Sequence, residues 1–131
     1  AANFSPGIHL VARAVRELAK QLGASYDVEI VETHHRNKVD APSGTALRYA
    51  AHIALARGGE LPPISSVRAG DIVGDHTVLF AGPHERVELK HMAHSRAVFA
   101  AGALKAAAWT AGRRPGYYDY FDLLDLKKGT L

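Results

Sequence analysis

The stretch Glu32-Thr33-His34-His35-Arg36-Asn37-Lys38-Val39-Asp40-Ala41-Pro42-Ser43-Gly44-Thr45-Ala46-Leu47 carries the chain from a strand pattern, through a polar loop, into a helix pattern. Ahead of it, Tyr26 to Thr33 alternates and is rich in β-branched residues (Val28, Ile30, Val31, Thr33), which predicts a strand whose carboxyl end delivers the histidines. Successive strand side chains face opposite ways, so His34 groups with Glu32, Ile30 and Val28, and His35 with Thr33 and Val31. The two histidines therefore have different surroundings. Arg36 to Ala41 has no apolar period and reads as a loop. Pro42 holds Ala41 extended, and Ser43 is placed to cap a helix implied by the spacing of Ala46, Leu47, Ala50, Ile53 and Ala54.

The first amides of a helix lack an intrahelical acceptor and sit at the positive end of its dipole, so the start at Ser43 favours a carboxylate or phosphate. Gly44 lets a ligand come close to the backbone, Ser43 and Thr45 offer hydroxyls, and Lys38 adds a positive charge. A charge-assisted hydrogen bond contributes about 1.5 to 3 kcal/mol, so several converging on one small dicarboxylate suffice for micromolar binding. A serine cap or a loop lysine taken singly is common in helices and loops that bind nothing. Metal binding is the other sharp alternative for the histidine pair, but adjacent strand histidines diverge and the chain has no cysteine. No metal site is expected.

Working outward, Pro6, Ile8, Val11, Ala12, Val15, Leu18, Ala19 and Leu22 predict an amphipathic helix stopped by Gly23. Leu61-Pro62-Pro63 breaks the chain after the second helix. Strands are then predicted over Ile64 to Arg68, Ile72 to Phe80 and Arg86 to His91, the last two joined by the turn Ala81-Gly82-Pro83-His84. Ser95 to Ala111 predicts a long Ala-rich helix, more in keeping with core or a docking face than with a cofactor site. Tyr118 to Leu124 predicts a short helix, and Lys127 onward a frayed tail. The expected fold class is α+β: a four-stranded mixed sheet with helices packed on one face. Val73, Thr77, Leu79, Val87 and Leu89 are expected to make the other face apolar and available for oligomerisation.

A chain of 131 residues with 47% hydrophobic and 22% charged residues can bury a core as one domain. A net charge of +3, with no block of Lys and Arg, argues against a nucleic-acid partner. No apolar run approaches the roughly 20 residues that span a bilayer, so no membrane role is expected. The absence of cysteine rules out disulfide stapling and is compatible with a cytoplasmic setting.

The segment His34 to Leu47 closely resembles the signature of the dihydrodipicolinate reductase family. Ala1-Ala2-Asn3-Phe4-Ser5 resembles that family's link between cofactor and substrate domains, and Val67 to Thr77 its Arg-x-Gly-Asp-x-x-Gly-x-His region. Ser95-Arg96 with Phe99-Ala100-x-Gly102-Ala103 resembles a later helix, and Pro115-Gly116-x-Tyr118-Asp119 its tail. The likeness spans essentially the whole chain. It implies a substrate-binding and oligomerisation domain, residues 1 to 131, of an enzyme that reduces the dihydrodipicolinate ring with NADPH or NADH in diaminopimelate and lysine biosynthesis. By the same resemblance His34 and Lys38 are the catalytic proton carriers. His35, Ser43, Gly44 and Thr45 bind substrate, and Ala1, Ala2, Asn3, Phe4, Arg96 and Phe99 lie against the cofactor. It also implies a homotetramer.

The chain departs from the family at Lys90-His91-Met92-Ala93-His94-Ser95-Arg96, where Thr-His-x-Ala-Ser-Ser-Arg is usual, and at Tyr120, where methionine is frequent. It contains no Gly-x-Gly-x-x-Gly, and its only methionine is Met92. The dinucleotide-binding half is therefore expected to lie outside this chain, leaving an isolated domain that binds dicarboxylate without turnover. Two other classes remain open at this point: a domain of a different nicotinamide-dependent reductase, and a non-catalytic oligomerisation module.

Overall fold

The computed structural model describes residues 3 to 126. Ala1, Ala2 and the tail from Lys127 lie outside the described residues. The chain runs α1 (Pro6–Leu22), a single 3-10 turn, β1 (Asp27–His34), α2 (Gly44–Arg57), β2 (Ile64–Arg68), β3 (Gly74–Ala81), β4 (Arg86–Ala93), α3 (Ala97–Thr110) and α4 (Tyr120–Leu123). The sheet order is β2-β1-β3-β4. β2 runs parallel to β1, while the β1–β3 and β3–β4 pairs are antiparallel. A parallel neighbour demands a crossover, and α2 is that crossover. The expected mixed four-stranded sheet is present.

Burial follows the alternation read from β1: Val28, Ile30, Glu32 and His34 are buried and the residues between them are not. They meet α1 through Ile8, Ala12, Val15 and Ala19, and α2 through Ala46, Tyr49, Ala50 and Ile53, with Val78 and Phe80 of β3 completing the core. Alanines on both helices permit close packing, and the Tyr49 hydroxyl donates to the Ile8 carbonyl at 3.2 Å.

Three expectations need correction. Val87 and Leu89 pair directly with Phe80 and Val78, so they share the helix-covered face and are partly buried against the core. The opposite face instead presents Val31, Val67, Met92, Thr77 and Leu79 among Glu29, Asp75, Glu88 and Lys90, a mixed surface. Second, the β3 ladder begins at Gly74 rather than Ile72, because Gly70, at φ 50°, turns the chain just before it. Third, of the two roles expected for α3, core or docking face, core does not hold: Gly102 is its one buried residue. A Cβ at Gly102 would stand 1.8 Å from the Phe4 carbonyl oxygen, so the N-terminal segment crosses α3 in backbone contact. Gly102→Ala is expected to push Phe4 away and lower stability by about 1 to 3 kcal/mol, measurable by urea unfolding.

Tyr120 accounts for one family departure. Its hydroxyl donates to the Phe4 carbonyl at 2.8 Å, and its ring stacks on buried His9 at 4.2 Å. A methionine at this position could fill the space but could not make that bond.

Candidate functional site

The inward face of β1 ends on two ionisable residues, Glu32 and His34, where an apolar pair would otherwise continue the core. Glu32 is fully buried and accepts from Arg68, at the end of β2, through both oxygens at 2.8 and 2.9 Å. It also accepts the Ser43 backbone amide at 3.2 Å and the His34 Nδ1–H. Burial alone would raise the Glu32 carboxyl, but hydrogen bonds from Arg68, Ser66 and His34 outweigh it and pull the pKa down to about 2. Glu32 is an anion at all working pH values. Being acceptor-only, it requires the proton of neutral His34 on Nδ1 and leaves Nε2 as the exchangeable nitrogen. Burial draws His34 below the ordinary histidine value, Glu32 opposes that shift, and Lys38 and Arg68 add to it.

Gly74 makes room for this ring. A Cβ there would lie 2.9 Å from His34 Nε2, so Gly74→Ala is expected to rotate the imidazole off Glu32. Loss of the Nδ1–H signal in a histidine-labelled NMR spectrum would report it.

Ser43 caps α2 as predicted, its Oγ accepting from the Ala46 amide at 3.2 Å. The same Oγ lies 2.9 Å from Nε2 of His76, a buried residue of β3 whose ring also contacts that of His34 at 5.0 Å between centroids. Burial, then repulsion from His34, holds His76 near pKa 3 and therefore neutral. Among the described residues, the Gly44 and Thr45 amides have no acceptor, and a Cβ on Gly44 would meet nothing within 4 Å. The helix start expected to hold an anion is unobstructed at Gly44.

Lys38 sits in the loop as expected, but its ammonium is 2.6 Å from Asp40 Oδ1. An incoming carboxylate must share or replace that partner. Arg68 binds this loop too, donating to the carbonyls of Lys38 at 3.3 Å and Asp40 at 2.7 Å. The remaining residues separate into two groups. Thr45 meets Asn3, whose amide donates to its hydroxyl at 3.5 Å. His35 leaves the opposite face of β1 from His34 and lines an open cavity of about 610 Å³ with Asn37, Asp71, Val73, His94, Ser95 and Arg96. Phe4 and Phe99 are occupied in packing against Tyr120 and the core. Arg96 is exposed on the cavity wall, where a cation beside His94 and Ser95 suits a phosphate-bearing or carboxamide-bearing group.

Sequence reasoning placed Glu32 beside His34 but gave it no role. The available signal was a carboxylate on a face otherwise apolar, which demands a cation. Arg68 and His76 are the Arg and His of the Arg-x-Gly-Asp-x-x-Gly-x-His region, which marked them without giving either a role.

The family model for the C-terminus of dihydrodipicolinate reductase matches residues 7–124. The chain belongs to the dihydrodipicolinate reductase family. It is 51% identical to the 4-hydroxy-tetrahydrodipicolinate reductase of Methanosarcina mazei, the match covering 95% of this chain and 52% of the relative. It is 50% identical to that of Thiobacillus denitrificans, covering 97% and 55%. A solved structure of dipicolinate-bound dihydrodipicolinate reductase from Paenisporosarcina sp. TG-14 superposes with a TM-score of 0.70 at 31% identity, covering 79% of this chain and 46% of that one. The chain spans about half the length of the dihydrodipicolinate reductases it matches. The likeness first noted at His34 to Leu47 therefore extends over the fold.

Proposed function

We propose that the chain is the substrate-binding and proton-donating domain of a 4-hydroxy-tetrahydrodipicolinate reductase, acting in diaminopimelate and lysine biosynthesis with a dinucleotide-binding domain that lies outside it. One observation carries this reading: a histidine oriented by a buried carboxylate stands beside an open helix start with unpartnered amides. The solved relative was found with dipicolinate bound, and a planar dicarboxylate is what such a start, with Lys38, would hold.

NADPH or NADH, when bound, supplies the hydride. The chain's own residues bind the ring through Ser43, Gly44, Thr45 and Lys38; His35, at the start of the loop that carries Lys38, is assigned to substrate as well. A dianionic ring next to His34 favours its imidazolium. In the donating step the Nε2–H bond breaks, the proton passes to the ring atom left anionic by hydride addition, and His34 returns to its Nδ1–H neutral form. Arg96, Phe99 and the N-terminal residues Ala1, Ala2, Asn3 and Phe4 are this chain's contribution to cofactor binding. Asn3, bonded to Thr45, joins cofactor side to substrate side.

The setting would be the cytoplasm; among the described residues no helix is long and apolar enough to cross a membrane. The exposed face of the sheet, with Val31, Val67 and Met92 uncovered, supports a homotetramer that persists without the dinucleotide-binding domain. Sedimentation is expected to give a tetramer at high micromolar concentration, and a monomer there would refute it. The isolated chain is expected to show no reductase turnover, because the pyrophosphate cradle is not among its residues; measurable turnover with NADPH or NADH would place the domain boundary elsewhere.

A further inference from the structure

Arg68 uses all five of its N–H donors. Two reach the oxygens of Glu32 at 2.8 and 2.9 Å, and three reach the carbonyls of Lys38, Asp40 and Val67 at 3.3, 2.7 and 2.8 Å. Glu32 in turn holds the Ser43 amide and His34 Nδ1. One ion pair thus touches the three separate pieces of the site: the proton-carrying imidazole, the loop bearing Lys38, and the start of α2. A planar guanidinium can do this and an ammonium cannot, because the two-pronged bond leaves the remaining donors aimed along the loop.

We infer that the Arg68–Glu32 pair is the positioning unit of the reaction: it fixes His34 as the Nδ1–H tautomer and holds the Lys38 loop and the Ser43 helix start around it. This rests on the reading of His34 as proton donor. The groups facing His34 are Glu32 on its own strand, Arg68 from β2, His76 from β3 and Lys38 from the loop. Of these Glu32 is the only anion. Arg68 spends its donors and Glu32 its oxygens on the chain itself, so each acts through His34, Lys38 or Ser43.

The first test needs no variant. Nitrogen-15 spectra of the histidine-labelled chain at neutral pH are expected to show His34 protonated on Nδ1, and the Nε2–H tautomer would overturn the inference. Glu32→Gln is expected to remove that preference and to lower the pH at which His34 titrates. Arg68→Lys is expected to keep the tautomer in part while weakening dicarboxylate binding. In the full-length protein, Glu32→Gln should lower kcat roughly 10²-fold with KM within about threefold, and shift the alkaline limb of the pH profile, where His34 loses the proton it donates, to lower pH. A purely structural pair would lower the melting point and leave tautomer and pH limb in place, which would equally overturn the inference. Full turnover in His34→Gln would instead remove the proton-donor reading, and the tautomer measurement separates the two failures.

Discussion

His34→Gln in the full-length protein should lower kcat by roughly 10² to 10⁴, the range associated with losing one positioned proton donor. Glutamine keeps nearly the size of the ring and can still accept or donate toward Glu32, so the fold should survive. What it lacks is a ring nitrogen that can lose and regain a proton. KM should change little, since the binding groups at Ser43, Gly44 and Lys38 remain. Steady-state kinetics across pH would show the loss together with disappearance of the limb governed by His34. Activity equal to the parent at every pH would mean that the proton comes from elsewhere, with Lys38 the next candidate.

The second large effect is on stability in acid. His76 titrates near 3 in the folded chain against 6.5 when unfolded, so the unfolded state takes up its proton first as pH falls. Its contribution is complete above about 6.5 and is lost progressively down to 3. Glu32, held near 2 against 4.5, contributes fully above 4.5 and loses that contribution as pH falls through about 2. At about 1.4 kcal/mol per pH unit, the upper bounds are about 5 kcal/mol for His76 and about 3 kcal/mol for Glu32. His9, His34, His52 and His91 are all lowered chiefly by burial and act in the same direction as His76. Urea unfolding at a series of pH values should therefore show stability falling through two overlapping windows. His76→Gln, which can still bond to Ser43, should flatten the upper one and spare the lower. An unchanged slope between pH 6.5 and 3 in that variant would show that His76 is not the buried group responsible.

Much of this was legible in the chain itself, and the boundary of what was not has physical causes. The period-2 burial of Val28, Ile30, Glu32 and His34 followed from strand geometry. The helix start at Ser43 followed from local capping chemistry, which needs only neighbours three residues away. The outward face was misread at Val87 and Leu89 because facing depends on register, and only pairing with Phe80 and Val78 sets it. The Ala-rich α3 gave no apolar stripe to orient it, so its exposure could not be inferred from spacing. In the site, Glu32 and His34 were neighbours in sequence. Arg68 and His76 reach Glu32 and Ser43 across 36 and 33 residues, and only the completed sheet brings them there. The Asp40 partner of Lys38 was close enough to have been seen, and a lysine two residues from an aspartate in a loop is a plain signal for it.

The dicarboxylate site is the claim on which the rest depends, and calorimetric titration of this chain with pyridine-2,6-dicarboxylate addresses it directly. Saturable binding at one site per chain is expected, with a melting point that rises with ligand concentration by mass action. In Lys38→Ala the heat should fall to baseline. Its ligand-free melting point should stay within about 0.5 kcal/mol equivalent of the parent, because the ion pair lost with Asp40 is a surface one. Absence of binding by the parent chain, or undiminished binding by Lys38→Ala, would contradict a site built from Lys38 and the start of α2.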